Sequence, residues 1–241
     1  MSNQIFKWTS IFLLTTLFAN ADTAFETTLN LGLTLTEGNS ETLLGNAALV
    51  STGKRSCGTS IRLGAEGNYG ESKLQDTKQT TVENIRGFIT AQQNISKRWY
   101  AALNTAALYD NIAEIDYRFI LGPAFGGYLL RGEKVELTAE LGPSYIWERV
   151  ARDRDNYLAL RVAERFTYQL SDTAQIWQSA EFIPKTEEFD DFLVKTEVGV
   201  SAAMNSKMQL RVVLQWNHDS TPGPELEKDD FTLISGLGIK L

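Results

Sequence analysis

One cysteine, one histidine, five prolines and no long apolar run past residue 21 set the first limits on this chain. With Cys57 alone, no disulfide forms within the chain, and its distance from the N-terminus excludes lipid attachment directly after a signal sequence. With His218 alone, a histidine-rich metal centre is excluded, and any Ser-His-acid hydrolase has to use that residue. A helical membrane protein needs about 20 consecutive apolar residues per span, and the sequence beyond residue 21 offers none. There is no basic stripe and the net charge is −7, which argues against a nucleic-acid partner. Glycine-rich phosphate loops, zinc-ligand spacings and paired catalytic carboxylates are also missing, so no catalytic residue, metal or cofactor is expected.

The first 21 residues read as a secretory signal peptide. Lys7 is the positive n-region, Ile11 to Phe18 the apolar stretch, and Ala19-Asn20-Ala21 the small-x-small cleavage pattern. Residues 22–241 then form one domain, and loss of Lys7 takes the charge from −7 to −8. This part has no linker and no low-complexity tract. Its repeating feature is a segment of about ten residues with alternating polarity followed by a polar turn, the dyad pattern of membrane barrels.

In Trp99 to Tyr109 the odd positions are Trp99, Ala101, Leu103, Thr105, Ala107 and Tyr109. They make a face that is apolar in its middle and aromatic at both ends, as a lipid-facing strand with two interfacial girdles requires. Met208 to Trp216 alternates in the same way, with Val213 interrupting the polar face. In Val135 to Glu148, the residues Glu136, Glu140 and Glu148 share one face; a dry core would not accept them, but a wet lumen would. Leu158 to Leu170 carries Glu164 on its otherwise apolar face.

About twelve such segments are present; ten or fourteen also fit. The expected fold is therefore all-β, an antiparallel up-and-down transmembrane barrel. Short connectors alternate with longer acidic ones around Gly70 to Lys78, Asp110 to Asp116, Arg149 to Asn156, Lys185 to Asp191 and His218 to Asp230. Long connections on one side are the extracellular signature of these barrels. A water-soluble β-sandwich also alternates, but strand length, aromatic margins and charge density on the opposite face argue for the barrel.

The order of several motifs resembles the YdiY-like salt-induced outer-membrane proteins (domain of unknown function 481). These are Leu35-Thr36-Glu37-Gly38-Asn39-Ser40, Gly122-Pro123 with Gly126-Gly127-Tyr128, Glu140-Leu141-Gly142-Pro143-Ser144-Tyr145, and Asn217-His218-Asp219-Ser220-Thr221-Pro222 with Lys228 and Asp230. The resemblance spans the mature chain and implies an outer-membrane barrel without an established activity. One departure is the ending Gly238-Ile239-Lys240-Leu241, where barrels handed to the outer-membrane assembly machinery usually end in an aromatic residue.

From the alternation, the charges expected to line the lumen are Arg62, Glu66, Arg86, Arg118, Glu136, Glu140, Arg161, Arg165, Lys195, Glu197 and Arg211. The membrane-interface aromatics are Trp99, Tyr109, Tyr145, Trp147 and Trp216. The expected role is structural or that of a narrow channel, with outer-membrane lipid, lipopolysaccharide and the assembly machinery as partners. Two alternatives stay open: a barrel-borne hydrolase using His218, and a protein whose acidic loops (Asp153 and Asp155, Glu187 to Asp191, Glu225 to Asp230) bind ions or lipopolysaccharide.

Overall fold

The computed structural model describes residues 24–36, 41–55, 58–74, 77–224 and 226–241. The expected signal peptide, Cys57, Glu37 to Ser40 of the first motif, and Glu225 lie outside them. Twelve strands run in order through the described residues: β1 (Ala24–Thr36), β2 (Glu41–Lys54), β3 (Thr59–Leu74), β4 (Thr77–Asn94), β5 (Trp99–Asp110), β6 (Ile115–Arg131), β7 (Val135–Val150), β8 (Asp153–Gln169), β9 (Ala174–Pro184), β10 (Phe192–Ala203), β11 (Met208–Asp219) and β12 (Asp229–Lys240). Each pairs antiparallel with its neighbours in sequence, and β12 pairs with β1 from Thr28↔Lys240 to Gly32↔Gly236, closing the sheet.

Two-residue periodicity separates the two faces of this wall. Leu33, Leu49, Leu63, Ile85, Leu103, Phe125, Leu141, Leu158, Val198, Leu210 and Leu233 are exposed large apolar side chains, and all point outward. The opposite face is inside, since Arg118 on β6 reaches Asp219 on β11, strands that touch only across the lumen.

The strands are longer than the alternating segments alone imply. β3 and β4 extend through most of the expected Gly70 to Lys78 loop, and their register shifts at Gly70/Glu71. The connection expected from Arg149 to Asn156 is a two-residue turn, because Val150 pairs with Asp153. Its residues Ala151 and Arg152 have φ of 48° and 72°, the left-handed geometry of a hairpin turn that follows strand twist. Long connections remain at 185–191 and 220–228.

Pro123 on β6 stands opposite Pro143 on β7, in the gap between the pairs Leu121↔Tyr145 and Phe125↔Leu141. Neither has an N–H to give to the ladder. What holds the strands together there is close approach: a Cβ on Gly142 would lie 2.1 Å from the Pro123 carbonyl oxygen, and one on Gly122 would lie 2.3 Å from Ser144 Oγ. The paired Gly-Pro motifs thus act as one unit of the wall.

Candidate functional site: the lumen

The register puts Arg62, Glu66, Arg86, Arg118, Glu136, Glu140, Arg161, Arg165, Lys195, Glu197 and Arg211 on the inner face. Glu66 pairs with Arg86, Thr138 with Arg165, Gly142 with Arg161, Glu197 with Gln215, and Ser201 with Arg211. Glu148, set by alternation on the same face as Glu136 and Glu140, also faces inward, as do Glu181 and Asp219, which alternation does not pick out. Glu181 sits in a segment with apolar inner positions at Trp177 and Ile183, and Asp219 looks like part of a loop in the sequence.

These charges divide into two groups. In the half nearer the long connections, Arg118 is ion-paired with Glu148 and, at 2.9 Å, with Asp219. Lower on the same wall, Arg161 joins Glu140 at 2.6 Å and Glu181 at 2.8 Å. Tyr100 and Asn104 also donate to Glu140. Beside these pairs, Ile120, Ile146, Tyr157, Ala159, Ile183 and Leu193 form a buried cluster, with Ile146 fully inaccessible. The interior expected to be polar therefore contains an apolar plug, whose residues come from the inner positions of β6 to β10.

The second group is unpaired. Among the described residues Arg62, Arg86, Arg165, Arg211 and Lys195 have no carboxylate within ion-pair distance. Arg62, Arg165 and Arg211 lie toward the short-turn ends of β3, β8 and β11. The Arg62 guanidinium is 4.8 Å from the centre of the Phe88 ring, and that of Arg211 is 5.1 Å from Trp177. Both rings lie flat on the wall over a glycine: a Cβ on Gly64 would be 2.7 Å from Phe88, and one on Gly199 2.1 Å from Trp177. Glycine, ring and guanidinium thus form layers, with cation–π attraction holding the charge in place. The nearby acids are engaged: Glu197 accepts from Trp177 Nε1 at 2.6 Å and from Gln215, and Glu66 accepts from Asn46. The Arg86 Nε is buried without a hydrogen-bond partner among the described residues.

At the long-loop mouth the inner face is acidic, with Asp110, Glu148, Asp155, Asp219 and Asp230 on inward positions. Lys185 bridges Asp155 at 2.7 Å and Asp191 at 3.8 Å. The hydrogen bond that Lys185 donates to Asp155 holds its ammonium above the usual lysine range. His218 points outward. Its Nδ1 is 2.8 Å from Asp229 and its ring stacks on Phe192. Asp219 instead faces Arg118, and Ser220 Oγ accepts from the Phe192 N–H. A nucleophile, base and orienting acid do not converge there.

The aromatics lie on the outward face. Trp99, stacked on Phe125, is at the short-turn margin, while Tyr109, Tyr145, Trp147 and Trp216 are toward the other, with Tyr145 and Trp147 4.5 Å apart and Trp216 stacked on Phe231. An outward depression of about 400 Å³ among Leu49, Leu63, Ala65, Ile89, Ala107 and Phe119 has no convergent polar groups to orient a substrate.

No curated protein matches the chain. Among solved structures, it is similar to the NanC porin (7% identity, 90% of this chain and 100% of that one, TM-score 0.56). It is also similar to an outer membrane channel from Pseudomonas putida F1 (10%, 91% and 95%, TM-score 0.52). A third is the translocator domain of the autotransporter NalP from Neisseria meningitidis (11%, 91% and 88%, TM-score 0.50). At these identities the likeness is one of fold. The family model described as "Protein of unknown function, DUF481" matches residues 29–241, and the chain belongs to that family.

Proposed function

We propose that this protein is an outer-membrane barrel that conducts small anions through a narrow lumen. The observation that carries the reading is the set of inward arginines, Arg62, Arg86, Arg165 and Arg211, without ion-pair partners among the described residues. Rings of basic side chains favour anions in pores. A barrel of twelve strands lies between those filled by their own side chains and those with a wide aqueous channel, and the apolar plug narrows one side further. The outward apolar band supports insertion into lipid, with lipopolysaccharide as a neighbour and the assembly machinery as the route of entry. The resemblance to salt-induced proteins adds ionic stress as the condition of use.

The acidic long-loop mouth and the basic opposite half make the fixed charge asymmetric along the pore. Such a pore passes current more readily in one direction. Planar-bilayer recordings of the refolded protein should show small, rectifying, anion-selective steps that weaken as salt screens the fixed charge. Cation-selective steps would contradict the reading, and silence would favour a closed structural barrel, for which the fully buried Ile146 and Ile183 are the supporting observation.

A further inference from the structure

The lumen leaves one polar feature of the wall unexplained. Glu164 on β8 points outward, between Val162 and Phe166, and one of its carboxyl oxygens accepts from Gln178 Nε2 on β9. Its height follows from the register. Trp99, Gly127, Ala139, Glu164, Ala180, Thr196 and Trp216 are successive cross-strand partners around the barrel. Because barrel strands are tilted, this row climbs from the short-turn aromatic margin at Trp99 to the opposite margin at Trp216. Glu164, fourth of the seven, lies midway, and Gln178 lies beside it.

Among the described residues, Glu164 is the one ionisable side chain on the outward face between these margins. Among the described residues, its second oxygen, together with the Gln178 carbonyl and second amide hydrogen, has no partner. Hydrocarbon cannot supply one, and ionisable groups at this depth normally find a polar partner. The residues directly opposite Glu164 on both neighbouring strands are Ala139 and Ala180, small enough for another wall to come close.

We propose that this face, from β7 to β10, is where a second copy of the chain docks within the membrane. A two-fold axis at the Glu164–Gln178 pair brings each free amide hydrogen to the other copy's free carboxyl oxygen, so one patch supplies both halves of the contact, as an isologous interface requires. The complementarity of donor and acceptor within this patch favours a second copy over a lipid or an apolar helix. The inference rests on the membrane placement proposed above and is independent of whether the lumen conducts.

The test is association of the purified, refolded protein in phosphatidylcholine vesicles, followed by energy transfer between labelled copies over a range of protein-to-lipid ratios. Heat-modifiable gel migration on the same samples reports folding and insertion separately. Wild type should dimerise, and Glu164→Leu should weaken dimerisation at least tenfold while leaving the folded fraction unchanged. In a Cys57→Ser background, Ala180→Cys should cross-link between copies and Leu210→Cys, on another part of the wall, should not. An inserted wild type that stays monomeric at every ratio, association undiminished by Glu164→Leu, or equal cross-linking at both cysteines would overturn the proposal. Failure to fold into vesicles at all would instead overturn the membrane placement.

Discussion

Replacing Arg62, Arg165 and Arg211 together by glutamate should turn the conductance from anion-selective to cation-selective. An anion about 6 Å from one guanidinium gains about 0.7 kcal/mol even at the dielectric constant of water, roughly a threefold preference. Reversing a charge changes that term twice over, so three reversals shift the permeability ratio by at least about tenfold after salt screening. Arg62 and Arg211 rest on aromatic rings and, among the described residues, none of the three arginines has an ion-pair partner, so the substitutions break no ion pair. Arg118 is different: its removal would strand Glu148 and Asp219 and confuse selectivity with stability. Reversal potentials in a salt gradient read the effect. An unchanged ratio in the triple variant would show that ions do not pass this part of the inner face.

Gly142→Ala should be among the most damaging single-methyl additions available in the wall. The new Cβ would sit 2.1 Å from the Pro123 carbonyl oxygen and 2.8 Å from Ala124 Cα, backbone atoms that no rotamer change moves. Overpacking usually costs about 1–3 kcal/mol; a clash with backbone, where the ladder is already interrupted by two prolines, should exceed about 3 kcal/mol. Gly67→Ala is the control, because its Cβ would have only Asn84 O within reach, at 3.8 Å. It should be neutral or slightly stabilising, as glycine in a strand carries an entropic cost. Urea titration in vesicles, read by gel migration, separates the two. Equal midpoints for both variants would contradict the close approach at the Gly-Pro pair.

Strands such as β5 and β11 are legible in sequence because an apolar outer face and a polar inner face impose opposite demands on alternate residues. Trp99, Leu103 and Tyr109 stand on one side, and Tyr100 and Asn104 on the other. The same alternation breaks down where the inside is itself apolar. Ile120, Ile146, Ile183 and Leu193 occupy inner positions and pack on one another, so β9 reads as noise and Glu181 is passed over. Oily residues on both parities near one end of several strands were the available signal of a plug. Cross-lumen partners such as Arg118 and Asp219 are 101 residues apart and leave no local trace. Loop lengths are not legible for another reason: polar strand ends projecting beyond the apolar band look like loops until the partner strand is seen, as beside Ala151-Arg152. Glu164 was visible as an exception on an apolar face, but its depth follows only from the register.

The separation of an oily exterior from a charged interior is tested most directly by spin labels at alternate positions, in a Cys57→Ser background refolded into vesicles. Labels at Leu63, Ala65 and Leu103 should relax with lipid-dissolved oxygen, and labels at Glu66, Asn68 and Thr90 with a water-soluble nickel reagent, reversing at each step along β3. Equal access of both reagents at neighbouring positions, or access of the nickel reagent to Leu63 and Leu103, would contradict a membrane barrel.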